Sequence, residues 1–215
     1  KLSDDRIIIT MTSPRIILAS SSNYRKAQLA NIGFQVPGIS PNIDETANPG
    51  EAPQDLACRL SLEKARAVAA NYPDAVIIGG DQVATVTDKT GHVHILGKPG
   101  TLDKAIEQLE LCSGNKVRFI TALSLVHQAQ QREQTRFEDV YVTFSELSDS
   151  VIERYLLKEQ PYDCAGSFKA EGAGVLLFDR IESRDPNTLI GLPVMLLRDM
   201  LADWHINLLD LTLRH

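Results

Sequence analysis

The sequence predicts a mixed-sheet α/β fold, and three observations carry that reading. Strand-like and helix-like stretches alternate along the chain. The middle reads as antiparallel hairpins, which a strictly parallel sheet would not contain. No internal repeat, low-complexity tract or linker interrupts the 215 residues, so one chain-wide unit with two lobes around a groove is expected. The continuous apolar run Ile16-Ile17-Leu18 makes 15–19 a buried strand. Residues 24–32 read as a helix stopped by Gly33, and 34–39 as a second strand. Residues 40–53 form a loop carrying "PNIDETANPGEAP". Pro53 then suits the first turn of a helix reaching about Asn71. "DAVIIGGDQVATV" is a strand of the fully buried kind, interrupted at Gly79-Gly80, and "TDKTGHVHILGKPG" is a hairpin closing at Lys98-Pro99.

Thr101 caps a helix that ends near Cys112, where Ser113-Gly114 stop it. "KVRFITALSLVH" and "TRFEDVYVTFS" pair as antiparallel strands around the polar turn "QAQQREQ". Ser148 caps a helix to Lys158, "GAGVLLFDRIE" supplies another strand, and 193–202 is a last helix with Pro193 in its first turn. Residues 1–10 fit poorly with the rest and read as an extension or cloning remnant. Met11 looks like the natural start of a single domain spanning 11–215.

Composition narrows the functional class. Hydrophobic residues are 43% and charged residues 23%, ordinary for a globular protein. No apolar run approaches the roughly 18 residues of a membrane helix, and no secretory leader pattern opens the chain. A cytoplasmic protein without a membrane partner is expected. The net charge of −6 argues against broad nucleic-acid binding, though not against a polyanion held in a locally positive pocket. Cys58, Cys112 and Cys164 are odd in number and far apart, which argues against a disulfide framework or a zinc site and for three buried thiols.

The chemistry gathers at a few positions. In "ASSSNYRK" a buried strand empties into hydroxyls, Arg25 and Lys26 at the mouth of a helix, where N–H groups and the dipole favour anions. Lys64 falls at the centre of an apolar helical face. It either snorkels, its stem covering core, or meets an anion in a groove. Asp81, after a strand and two glycines that allow close backbone approach, is placed at a strand's carboxyl end, where α/β sheets bind ligands; it also reads as a turn cap. Asp44 and Glu45 lie in the acidic "DET" loop, and Lys98 is pinned between Gly97 and Pro99. His92 and His94 share one side of a strand, but no third ligand accompanies them. Neither GxxxxGK[ST] nor GxGxxG nor GxSxG occurs, so the P-loop, Rossmann and serine-hydrolase readings fail. Carboxylates (Glu45, Asp81), cations (Arg25, Lys26, Lys64, Lys98) and helix-start N–H groups are together what a triphosphate with Mg²⁺ demands.

"ILASSSNYRKAQL", "DET", "RLSLEKA", "GGDQV", "LGKP" and "IGLP" occur in the order and spacing of the Maf family, and the chain resembles that family from about Arg15 to Leu209. The resemblance implies a fold related to inosine-triphosphate pyrophosphatases, with the active groove between two lobes. It implies hydrolysis of a nucleoside triphosphate to the monophosphate and pyrophosphate, with a divalent cation, Mg²⁺ or Mn²⁺. Family roles put Ser20, Arg25, Lys64 and Lys98 on the phosphates, make Asp81 the water-activating base, and place Glu45 beside it, both carboxylates on the metal. The chain reads Ser22-Asn23-Tyr24-Arg25 where the family usually has Ser-Pro-Arg-Arg or Ser-Pro-Trp-Arg. "CAGSFKAEG" and "RDPNTLIGLP" are similar to the branch that hydrolyses 7-methyl-GTP, a house-cleaning role. In that branch Glu171 suits the N1–H and amine of guanine. Tyr24 suits stacking on a cationic base, and Gln82 holds the base edge or the pocket shape. Phe168 and Lys169 mark the branch without an assigned role. The alternatives are dTTP and UTP cleavage, as in the other branch, and a non-catalytic, division-regulating nucleotide-binding protein. A homodimer would be unsurprising for such a family.

Overall fold

The computed structural model describes residues 14–213, so the expected extension at 1–10 lies outside the described residues. One six-stranded mixed sheet organises them. β1 (Ile16–Ala19) lies parallel to β2 (Val76–Thr87), and every other pairing is antiparallel. From β2 the sheet continues through β4 (Lys116–His127) and β5 (Arg132–Phe144) to β6 (Phe178–Glu182). β3 (Val93–Leu96) pairs with β2 on the edge that β1 also uses.

Strand alternation decides what covers each face. Helix α2 (Pro53–Ala69) crosses one face. Leu56, Ala57 and Leu60 bury against Val83, Ile120 and Ala122, and Ala65 and Val68 bury against Ile17 and Ile77. The opposite face carries two separate apolar clusters. At one end Val76, Ile78, Leu123 and Leu125 pack under α1 (Asn23–Asn31) and α5 (Val194–Asp203). At the other, Ala84, Val86, Phe119 and Val140 pack under α3 (Leu102–Cys112) and α4 (Asp149–Glu159). Burying each large aliphatic or aromatic side chain contributes roughly 1.5–3 kcal/mol. Between the clusters the same face is polar, carrying Gln82 opposite Thr121. The two lobes therefore share their long strands, and the groove is where the apolar cover breaks.

Four helix starts are as the sequence predicts, while Pro193 stands just before α5 and not in its first turn. Ser22, Thr101 and Ser148 each accept a hydrogen bond from a first-turn N–H of their helix, and Pro53 opens α2. Other expectations are corrected. Residues 34–39 make only a single bridge, Gly38 to Leu18, because Pro37 has no N–H with which to extend a ladder. β2 runs unbroken through Gly79-Gly80, so Asp81 sits mid-strand and not at a strand's end. The turn between β4 and β5 is shorter than expected, because β5 already begins at Arg132. Residues Ala173–Leu177 coil as a 3-10 helix before β6, since Gly174 tucks against Lys169 where a Cβ would come within 2.4 Å of its carbonyl oxygen. After α5 the chain adds α6 (Leu208–Thr212), capped by Asn207. The expectation of three buried thiols also holds only for Cys112; Cys58 and Cys164 are half-buried. No helix among the described residues is long and apolar enough to cross a membrane.

Candidate active site

β2 is bordered by β1 as far as Gly79 and by β3 only from Ala84, so residues 80–83 lack a partner on that edge. A cavity of about 900 Å³ opens at this break. Ser20, Tyr24, Arg25, Glu45, Lys64 and Asp81 line it, as do Gln82, Lys98 and Glu171. All nine positions expected from the sequence thus meet at one place. Lys26, counted among the cations, does not; its stem lies beside Gly38.

The two glycines of "GGDQV" admit protein, where the sequence suggested close approach by a ligand. A Cβ at Gly79 would come within 2.1 Å of the Ser61 carbonyl oxygen and 2.9 Å of the Ala65 Cβ, so α2 lies directly on the strand there. That contact brings Lys64 level with Asp81. Its Nζ lies 2.7 Å from Asp81 Oδ1 and 3.0 Å from Glu45 Oε2. Lys64 and Asp81 are 7% and 6% exposed, so neither charge would be tolerated there without the other. The inward cation on the apolar face is therefore paired, and the snorkelling reading falls. Burial raises the Asp81 pKa above the usual carboxylate range, while Lys64 and Arg25 pull it back down.

On the other face of β2, Arg25 lies over Gly80, where a Cβ would be 3.3 Å from Nε. Nε donates to the Gly191 carbonyl at 2.9 Å, and Nη1 reaches Ser20 Oγ at 3.5 Å. Burial lowers the Arg25 pKa, opposed by Asp81 and Glu45. Gln82 gives its amide N–H groups to Thr121 Oγ1 at 2.8 Å and the Thr188 carbonyl at 3.0 Å. Of its two expected roles, this geometry supports holding the pocket's shape. Lys98 and Glu171 are exposed on the rim.

Several supporting residues were not singled out by the sequence. Arg59 grips Glu51 through two nitrogens at 2.6 and 2.8 Å and also donates to the Thr46 carbonyl, tying the Glu45 loop to α2. The ion pair holds the Glu51 carboxyl down at about 2. Asp44, which the sequence did mark beside Glu45, turns that loop by accepting from Thr46 N–H and hydroxyl. Asp185, fully buried, accepts from the Asn187 and Met195 N–H groups and shapes the loop that offers Gly191 to Arg25. A signal for these was present in "RLSLEKA" and "RDPNTLIGLP", whose charged residues had no assigned partner. Phe168 and Lys169 also find places. Phe168 packs edge-on against Phe119, Phe144 and Phe178, and Lys169 donates to the Glu159 carbonyl at the end of α4.

Asp81 and Glu45 each give one oxygen to Lys64. Asp81 Oδ2 and Glu45 Oε1 accept no hydrogen bond among the described residues. Two hard oxygen donors without a third protein ligand suit a cation that completes its shell from phosphate and water, as Mg²⁺ does, and not a closed zinc site. The arrangement can hold a polyanion between Arg25, Lys64 and Lys98 while keeping a carboxylate beside it.

Known proteins share this chain's sequence over most of its length. The 7-methyl-GTP pyrophosphatase of Pseudomonas savastanoi pv. phaseolicola is 48% identical, covering 87% of this chain and 95% of that protein. Those of Thiobacillus denitrificans and Alcanivorax borkumensis are each 44% identical, covering 94% and 90% of this chain and 98% and 96% of theirs. The Staphylococcus aureus Ham1 protein structure is a looser likeness, with 18% identity and a TM-score of 0.48 over 88% of this chain and 98% of that one. The Maf-like protein family matches residues 15–204, and with the paired Lys64, Asp81 and Glu45 set into the break beside β2, the chain belongs to the Maf family.

Proposed function

We propose that the chain is a hydrolase that cleaves the α–β phosphoanhydride of 7-methyl-GTP, taking up water and releasing 7-methyl-GMP and pyrophosphate. The observation that carries this reading is the convergence of Arg25, Ser20 and Lys64 with the carboxylates of Asp81 and Glu45 in one cavity. Its support in substrate choice is the likeness to proteins named 7-methyl-GTP pyrophosphatases.

Arg25 and Lys64, with Lys98 on the rim, hold the phosphate oxygens, and the N–H groups at the start of α1 join them. Asp81 takes the proton of the attacking water. Burial suits it to that task, because a base is most effective when its pKa approaches the working pH. Lys64, between the two carboxylates, fixes where both stand and offsets their charge when phosphates arrive. Asp81 and Glu45 would hold a divalent cation, which would supply charge neutralisation and Lewis acidity to the phosphates. Tyr24 and Glu171 face the base, Glu171 accepting from the guanine N1–H and amine.

Pyrophosphate release measured across 7-methyl-GTP, GTP, dTTP and UTP, with and without Mg²⁺ or Mn²⁺, tests the reading. The highest kcat/KM is expected for 7-methyl-GTP with metal. A preference for dTTP or UTP would overturn the substrate assignment, and no turnover of any nucleotide would overturn the enzyme reading.

A further inference from the structure

The end of the cavity away from Lys64 holds a contact that the hydrolysis chemistry does not use. Cys164 Sγ lies 3.8 Å from the Tyr24 hydroxyl and 3.5 Å from Asp163 Oδ1. Both distances are hydrogen-bond lengths for sulfur, yet a thiol has one proton to give. A carboxylate can only accept, whereas a tyrosine hydroxyl can also donate. Only one arrangement satisfies both contacts: Tyr24 O–H donates to the sulfur, and Cys164 S–H donates to Asp163. Burial, the hydroxyl's bond to Cys164 and the nearby acids raise the Tyr24 pKa, and burial pushes the Cys164 thiol up to about 11, so both protons stay in place. No cation pairs with Asp163 or Glu171 among the described residues, so the charge at this end is uncompensated. A hydroxyl that donates along a chain ending in a carboxylate enriches its ring, and the negative face of such a ring attracts a cation.

We propose that Asp163, acting through Cys164 on the Tyr24 ring, makes the base end of the cavity a reader of positive charge. On this view the enzyme selects purine nucleotides whose ring is cationic through alkylation at N7, by charge and not by the fit of a methyl group. Asp163 and Cys164 are positioning residues, and the substrate class extends from 7-methyl-GTP to other N7-alkylated guanine nucleotides. The inference rests on the proposed pyrophosphatase function and on Tyr24 facing the base.

The test compares 7-methyl-GTP with 7-methyl-7-deaza-GTP, which carries a methyl at the same ring position but no positive charge. The native protein is expected to favour the charged nucleotide in kcat/KM by a few-fold to about thirtyfold, the range of a cation–π contact. Asp163→Asn and Cys164→Ala should each shrink that ratio toward one, chiefly through KM for the charged nucleotide, with Cys164→Ser retaining most of it. A merely structural role would slow both nucleotides alike and leave the ratio unmoved. Equal cleavage of both nucleotides by the native protein, or an unchanged ratio in Asp163→Asn, would overturn the inference while leaving the pyrophosphatase reading intact. Failure of that reading shows separately, as absence of 7-methyl-GTP turnover.

Discussion

The two ends of the cavity are built on different principles. At the phosphate end Lys64 and Asp81 are buried, their bond is short, and α2 rests on the backbone of β2 with no room for a methyl group. At the base end Asp163 and Glu171 are exposed, the sulfur contacts are long, and the residues sit on an irregular segment between α4 and the 3-10 helix. A buried ion pair tolerates almost no change, because removing one partner strands the other in low dielectric. An exposed turn can exchange side chains at little cost to folding. On the proposed function, bond cleavage and base choice thus reside in parts of the molecule that can change separately.

Substitutions at the two ends should therefore fail in different ways. Asp81→Asn keeps the side chain's shape and removes the base. Turnover should fall at least about a hundredfold for every nucleotide, since general bases typically contribute 10²–10⁴. A fall of less than about tenfold would remove Asp81 from that role. In the native protein the acid limb of kcat should report the same group. Activity rises as Asp81 loses its proton, with the inflection above the ordinary Asp value because burial favours the neutral acid.

Arg59 offers a smaller and more indirect break. Arg59→Ala releases the Glu51 and Thr46 contacts that fix the loop carrying Glu45. A loss of about tenfold in kcat is expected, with weaker metal dependence, from misplacing one carboxylate. Unchanged kcat and unchanged metal titration would show that Glu45 is positioned without the clamp. At the base end, Glu171→Gln keeps one acceptor and removes the charge. A several-fold rise in KM for 7-methyl-GTP is expected, with kcat for dTTP or UTP little altered. Parallel loss across all nucleotides would mean the two ends are coupled after all.

How legible each end was follows from how far its contacts reach. Helix starts were readable because a capping hydroxyl acts within three residues of itself, as Ser22, Thr101 and Ser148 do. Lys64 stood out as a charge on an apolar helical face and Asp81 as a carboxylate following an apolar run and two glycines, and the structure pairs them. The support around them was not readable. Arg25 is held by the Gly191 carbonyl 166 residues away, and every residue has a carbonyl, so composition carries no trace of the bond. The Tyr24 contact with Cys164 spans 140 residues and depends on a turn whose path the sequence does not announce. The 3-10 helix before β6 was hidden for a similar reason. "GAGVLLF" has strand-like side chains, and a close backbone contact at Gly174 overrides them.

Gly79 and Gly80 stand side by side but differ in what they leave adjustable. At Gly79 the obstacle is the backbone of α2, which cannot yield without lifting the helix and separating Lys64 from Asp81. At Gly80 the obstacles are side-chain atoms, Arg25 Nε at 3.3 Å and Leu123 Cδ2 at 3.4 Å, where a shift of a few tenths of an ångström would suffice. The first position is locked for any protein that keeps this helix against this strand. The second is a set-screw, where one added methyl would press on Arg25 from the face of the strand opposite Lys64 and Asp81.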